Sequence, residues 1–69
     1  MNDFKEVYVT IKKLLDSDIT AYQIEKGTGV SRAKIGRLKN DKNSLKNLTL
    51  ETAEKLYNYQ KQLEIMNED

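Results

Sequence analysis

The sequence predicts an all-α fold: a compact four-helix domain that contains a helix-turn-helix and ends in a long C-terminal helix. The 69-residue chain has no Pro and only three Gly, so few residues interrupt helices. Apolar residues recur at the helical spacing i, i+3, i+4, i+7 towards both ends of the chain. Between these stretches, residues 20–40 contain two short helical patterns separated by a turn with Gly27 and Gly29.

Length and composition limit what the chain can do. Residues 1–69 are expected to form a single domain, and a domain of about 60 residues buries only about 60% of the surface of its unfolded chain. There is no Cys and no His, which removes disulfides, thiolate metal sites and the commonest general base. The acids are scattered and no Gly-rich phosphate loop is present. We therefore expect no enzyme, no cofactor, no metal and no small-molecule ligand.

The same composition bears on where the protein acts. No apolar run approaches the roughly 20 residues that span a bilayer. The N-terminus, MNDFKEVY, has acids where a signal peptide has basic residues. A cytoplasmic protein without a membrane partner is expected.

The first helix is predicted over residues 3–16, where apolar side chains form one stripe. The stripe comprises Phe4, Val7, Tyr8, Ile11, Leu14 and Leu15. Asp3 and Glu6 have the spacing of a capping box, in which two side chains satisfy the first backbone N–H groups. Residues 16–18 break the pattern and predict a loop.

The second helix is predicted to begin at Thr20, because Thr20 and Gln23 form a capping box. Ile24 is expected to point inward. Gly27 and Gly29 are expected to end the helix, and one of them to take the left-handed conformation that Gly adopts without a Cβ clash.

The third helix is predicted to be capped by Ser31. Its inward pair is Ile35 and Leu38, at i and i+3. Four residues are left on the outer side: Arg32, Ala33, Gly36 and Arg37.

The fourth helix is predicted over residues 50–66, capped by Thr49 and preceded by a polar loop, residues 40–47, that Leu45 and Leu48 anchor. Two apolar faces follow one another along it. The first comprises Leu50, Ala53 and Tyr57, with Leu56 at its edge, and the second comprises Leu56, Tyr59, Leu63 and Met66. Two apolar faces predict two packing contacts, one with the core of the domain and one with a second surface.

Charge is unevenly distributed, although the net charge is only +1. Residues 28–48 carry six Lys and Arg against one Asp, net +5, whereas residues 1–27 carry −1 and residues 49–69 carry −3. A basic segment between acidic ones is the expected footprint of a polyanion binder. The alternative is a solvated helix face that binds nothing.

Residues 20–40, TAYQIEKGTGVSRAKIGRLKN, resemble the helix-turn-helix of the Cro/repressor (XRE-like) family of phage and bacterial regulators. Gly29 matches the turn glycine, and Ile35 matches the branched apolar residue of the recognition helix. The run NLTLETAEKLYNY is similar to the following helix of small phage and plasmid members from Gram-positive bacteria. Glu25 departs from the family's small residue, and is expected either to tilt the helices or to pair with Arg32 or Lys34.

The resemblance implies that Arg32, Ala33 and Arg37 face base edges of double-stranded DNA, where Arg suits guanine O6 and N7. Lys34 is also expected to contact a base, and the alternative is that it contacts a phosphate. Contacts with the DNA backbone are expected from helix N-termini and polar side chains. These contacts are Thr20, Ala21, Ser31, Asn40, Lys42 and Lys46. Gly36 either allows close approach of DNA or is a mere gap in the surface.

The sequence therefore predicts a sequence-specific transcriptional regulator, a homodimeric repressor of a phage, plasmid or other mobile element with a near-palindromic operator. The predicted dimer contacts are Tyr59, Leu63 and Met66, although this stripe has an alternative, packing on the first helix. The alternative function is a protein-interaction module, antitoxin-like or anti-defence, that binds another protein through its acidic C-terminal helix.

Overall fold

Each helix of the chain contributes at least one side chain to a single apolar core. The computed structural model describes residues 3–66 apart from the side chains of Asp3 and Lys42, so the capping box predicted for Asp3 and Glu6 lies outside the described residues. The elements are α1 (Asp3–Asp16), α2 (Ala21–Thr28), α3 (Arg32–Asn40), a 3₁₀ helix (Lys42–Asn47) and α4 (Leu50–Met66). This range contains no strand, which confirms the predicted all-α four-helix domain. None of these helices combines the length and apolar character needed to cross a membrane.

α1 buries only the C-terminal half of its predicted apolar stripe. Ile11 and Leu14 are fully buried and Leu15 is nearly so. Phe4 is 61% exposed and Tyr8 38% exposed, because the first turns of α1 border an open groove rather than the core. The stripe predicted the helix correctly, but not how far the core extends along it.

Three helices begin at the hydroxyl caps that the sequence predicts. The Thr20 hydroxyl accepts from the Gln23 N–H (3.1 Å) and Gln23 Oε1 accepts from the Thr20 N–H (3.2 Å), which completes the capping box of α2. Ser31 and Thr49 each accept from the backbone N–H three residues further on, at 3.2 Å. These caps satisfy N–H groups that have no acceptor inside their own helix.

The end of α2 corrects one prediction. Gly29 has φ 84° and donates its N–H to the Glu25 carbonyl oxygen (2.8 Å), so it is the left-handed residue that ends the helix. The prediction that Gly27 also ends the helix is wrong, because α2 continues to Thr28. Gly27 instead makes room for an aromatic ring, since a Cβ there would collide with Tyr59.

The segment between α3 and α4 is a 3₁₀ helix and not the predicted polar loop. Asp41 starts it: its Oδ1 accepts from the Asn43 N–H (3.1 Å), and its carbonyl oxygen accepts from the Ser44 hydroxyl (2.6 Å). Such local bonds from Asp and Ser tighten a polar segment into a turn of helix. Leu45 is buried and Leu48 half-buried, which confirms them as its anchors.

α4 has the predicted bounds, Leu50–Met66, but its buried face centres on Leu56. Leu50, Ala53 and Tyr57 line one groove, which confirms that they share a face, although Leu50 is 75% exposed. Leu56 is six positions further along, which places the side chains of Leu50 and Leu56 about 120° apart on an α-helix. Both flanks of the buried face are used within the chain: Tyr57 lies on the α1 side and Tyr59 on the α2 side.

Candidate nucleic-acid interface

The turn between α2 and α3 is fixed by one hydroxyl. Thr28 Oγ1 donates to the Ile24 carbonyl oxygen (2.7 Å) and accepts from the Val30 N–H (3.1 Å). Val30 is buried beneath the turn, and Gly29 supplies the left-handed conformation that reverses the chain. The direction in which α3 leaves α2 is therefore set by local bonds as well as by the core.

The far end of α3 is fastened to the segment before α2. Lys39 Nζ donates to the Ile19 carbonyl oxygen at 2.8 Å, in a partly buried contact. One cation of the basic segment thus has an internal role. The sequence offered no signal for it, because the two residues are 20 positions apart and neither belongs to a local motif.

One side of α3 is anchored in the core and the other is open. Ile35 is fully buried and Leu38 nearly so, which confirms them as the inward pair. Residues two positions before and after Ile35 lie nearly opposite it on an α-helix. The open side, which we call the outer face of α3, consists of the exposed residues Ala33, Arg37 and Asn40 and the half-buried Gly36.

Gly36 has no packing role that the described residues reveal. A Cβ built on it would meet no heavy atom within 4 Å outside its own helix backbone. Glycine in a helix interior costs about 1 kcal/mol relative to Ala. Nothing inside the described part of the chain offsets that cost, which is compatible both with close approach of a partner and with a gap in the surface.

Arg32 lies on the flank of α3 next to α2, where its side chain contacts two residues of α2. Its Nε is 3.2 Å from Glu25 Oε1, and its Cζ is 5.2 Å from the centroid of the Tyr22 ring. Lys26 Nζ is 5.7 Å from the same centroid. We call these four residues the Arg32 cluster. Of the outcomes expected for Glu25, pairing with Arg32 is the one observed.

Lys26 and Tyr22 were not among the residues predicted for the site. The available signal was the i, i+4 spacing of Tyr22 and Lys26, which places two side chains on one helix face. What the spacing did not provide was Arg32, which the tight turn brings back beside that face. Tyr22 is 50% exposed and is therefore accessible between two cations.

Three predicted backbone contacts lie at helix N-termini. The hydroxyls of Thr20 and Ser31 are both used as caps. The N–H of Ala21, the first residue of α2, belongs to the first turn, whose N–H groups have no acceptor further back in the helix. These positions remain suited to an anion through backbone N–H groups rather than through the two hydroxyls.

The other predicted backbone contacts follow the outer face of α3. Asn40 is exposed at its last residue, and Lys46 is exposed in the 3₁₀ helix that packs against α3. The side chain of Lys42 lies outside the described residues. Among the side chains that the structure describes, Lys34, Arg37 and Lys46 form no ion pair.

The charges of α4 are arranged differently, because they pair within the helix. Lys55 Nζ is 3.6 Å from Glu51 Oε2, and Lys61 Nζ is 3.6 Å from Glu64 Oε1. Gln60 Nε2 donates to Glu64 Oε2 at 3.0 Å. This hydrogen bond, which favours the ionised carboxylate, lowers the pKa of Glu64 below its ordinary value.

The predicted dimer contacts are only partly free. Tyr59 and Leu63 are half-buried and line a shallow depression against α2 near Gly27. Met66 is 71% exposed. The alternative for this stripe was packing on the first helix. Beside the first turns of α1, however, the structure has Tyr57. The role of these residues in a dimer stays a prediction.

An apolar groove of about 280 Å³ lies between α1 and the first turns of α4. No residue of α2 or α3 lines it, so it is separate from the outer face of α3 and from the Arg32 cluster. Its lining comprises Phe4, Val7, Tyr8, Leu45, Leu48, Leu50, Ala53, Glu54 and Tyr57.

The exposed surface of α2 and α3 offers N–H donors and positive charge. Guanidinium and ammonium groups are the side chains that bind phosphates and the acceptor edges of bases. Within the described part of the chain, no group of three His, Cys, Asp or Glu residues is placed to hold a metal ion. Comparison with models of known protein families and with curated proteins finds no match for this chain.

Proposed function

We propose that this protein is a sequence-specific DNA-binding transcriptional regulator. In this proposal α3 is the recognition helix, and it lies in the major groove of a near-palindromic operator. Binding by a homodimer represses a promoter of a phage, plasmid or other mobile element. The regulator acts in the cytoplasm, and its control comes from its concentration or from a partner protein.

The outer face of α3 is the observation that carries the proposal. It combines a small residue, a glycine with open space around its Cα and an exposed arginine. The opposite side of the same helix is buried. The major groove is about 12 Å wide and admits one α-helix. In this proposal Arg37 makes a bidentate contact with a guanine, and Ala33 contacts a thymine methyl.

Positive charge and N–H donors beside that face support contacts with the DNA backbone. Lys46 and Asn40 follow α3, and the N-terminus of α2 begins at Ala21. Such contacts fix the register of the protein on the duplex but carry no sequence information. Two copies would present their recognition helices about 34 Å apart, to half-sites roughly 10 base pairs apart.

The test is selection of duplexes from a random library by the purified protein, followed by fluorescence anisotropy on the enriched duplex and on a scrambled one. We expect enrichment of a near-palindrome that binds at physiological salt at least about a thousandfold more tightly than the scramble. Equal and steeply salt-dependent binding to both duplexes would identify a non-specific binder and contradict the proposal.

A second candidate function is a protein-interaction module. Ile65 and Met66 are exposed at the end of α4, on a helix that carries three described acids. Under this alternative, replacing Ile65 and Met66 with Ser abolishes a partner complex and leaves the affinity for the enriched duplex unchanged. Pull-down and anisotropy on the same variant separate the two functions.

A further inference from the structure

The ion pair between Glu25 and Arg32 joins two helices across the turn and is open to solvent. The Glu25 side chain is 35% exposed and the Arg32 side chain 62%. Exposed ion pairs contribute little to stability, because water and salt screen them. Glu25 also adds a negative charge to a surface that, in the proposed function, binds a polyanion. The charge of Glu25 therefore lowers the affinity for DNA unless Glu25 also acts on Arg32.

The geometry restrains Arg32 on two sides. The carboxylate lies 3.2 Å from Nε on one edge of the guanidinium, and the Tyr22 ring lies 5.2 Å from Cζ. A guanidinium has five N–H donors, and one carboxylate can use at most two of them in a bidentate pair. At least three donors therefore remain for a second acceptor while the pair with Glu25 is intact.

Restraint of this kind changes what an arginine can recognise. A free Arg side chain has many rotamers and can follow whichever phosphate or base is nearest, at an entropic cost on binding. A side chain already held in one orientation loses less entropy, and it presents its remaining donors in one direction. It therefore discriminates between bases more sharply than a free one.

We infer that Glu25 and Tyr22 are positioning residues that hold Arg32 in a single orientation and thereby set which base Arg32 accepts. The inference rests on the proposed function and adds to it a specificity determinant outside the recognition helix. Glu25 acts through Arg32 and is not expected to contact DNA itself.

The experiment repeats the library selection with the wild-type protein, Arg32→Ala and Glu25→Gln. Glu25→Gln keeps the size of the side chain and removes its charge. We expect Arg32→Ala to lose the preference at one base of each half-site, and Glu25→Gln to lose preference at the same base by about tenfold. Glu25→Gln should bind a scrambled duplex at least as tightly as the wild type, because a negative charge has been removed.

Two controls separate positioning from folding. Glu54→Gln removes an exposed carboxylate from α4 and should leave the enriched sequence unchanged. The Tm of Glu25→Gln should stay within about 5 °C of the wild type, since the pair is exposed. Tyr22→Leu keeps apolar bulk but removes the ring, and it gives a second route to the same loss of preference.

Three results would overturn the inference while the proposed function stands. In the first, Glu25→Gln and Tyr22→Leu both keep the wild-type base preference. In the second, both variants lose the preference at a base that Arg32→Ala does not affect. In the third, Glu25→Gln would sharpen the preference at the Arg32 base, which would mean that Glu25 withholds Arg32 from DNA. If the wild-type protein enriches no sequence, the proposed function itself fails.

Discussion

α3 and α4 are both held by the same apolar core, yet they use their charges in opposite ways. α4 has 17 residues, and the cations Lys55 and Lys61 each pair with an acid one turn away. α3 has nine residues and no acid; its Lys34 and Arg37 form no ion pair with any described side chain. Gly36 weakens α3 further.

The difference in charge pairing indicates that the surface of α4 serves stability and that of α3 serves binding. Pairs at i, i+3 and i, i+4 stabilise a helix on its own, so part of the stability of α4 comes from its surface. α3 depends on Ser31 as its cap, on two buried side chains and on the internal bond of Lys39. An exposed surface that gives its own helix no support is typical of a binding surface.

Arg37→Ala should have the largest effect on function. We expect a loss of about 1–3 kcal/mol in binding to the enriched duplex and relaxed specificity at one base position. The Tm should not fall, because Arg37 has no partner among the described side chains. Anisotropy on the enriched duplex and on single-base variants measures both effects.

Lys46→Ala is the matched control, because it removes an exposed cation near α3 that is assigned to phosphate. It should weaken binding to all sequences alike and lower the salt slope by about 1. Identical behaviour of Arg37→Ala and Lys46→Ala on every sequence would contradict the assignment of α3 as the recognition helix.

Gly27→Ala should destabilise the protein by about 1–2 kcal/mol. The added Cβ collides with the Tyr59 ring, and overpacking of this kind outweighs the better helix propensity of Ala. Urea denaturation followed by circular dichroism measures the loss. The double variant Gly27→Ala, Tyr59→Leu should recover part of it, and no recovery would show that the ring is not the cause.

Gly36→Ala should change stability in the opposite direction. Its Cβ meets open space, so we expect a gain of about 0.5–1 kcal/mol in the free energy of unfolding. The same change should weaken DNA binding if the helix backbone approaches the groove closely at this point. A variant that is more stable and binds the enriched duplex unchanged would establish that Gly36 is only a gap in the surface.

Lys55→Gln should have the smallest effect, a loss of about 0.3–0.5 kcal/mol that fades at high salt. It breaks the pair with Glu51 on the exposed surface of α4. Urea titrations at two salt concentrations detect it, and DNA affinity should not change beyond the removal of one distant charge. A loss above about 1 kcal/mol would mean that α4 depends on this pair more than we argue.

The sequence predicted the features that depend on neighbouring residues. The Thr20 capping box and the Ser31 and Thr49 caps follow from residue types at fixed spacing, and all are confirmed. A left-handed glycine at the end of α2 is confirmed too, although the sequence left it open between Gly27 and Gly29. Ile35 and Leu38 as the buried pair of α3 follow in the same way from helical periodicity.

The features it missed depend on contacts between elements. Gly27 was expected to end α2, but its environment is set by Tyr59, more than 30 positions away. Periodicity predicted the face that Leu50 shares with Ala53 and Tyr57, but not that Leu50 lies beyond the core, where it is 75% exposed. The bond from Lys39 and the approach of Arg32 to Tyr22 likewise require the turn geometry to be known.

The most direct test of the central claim is an NMR titration of ¹⁵N-labelled protein with the enriched duplex. We predict that the largest amide shift changes occur in α3, at the N-terminus of α2 and near Lys46, with Glu51 to Glu64 of α4 nearly unchanged. Shift changes concentrated along α4 or the apolar groove, with α3 unaffected, would contradict the claim that α3 is the recognition helix.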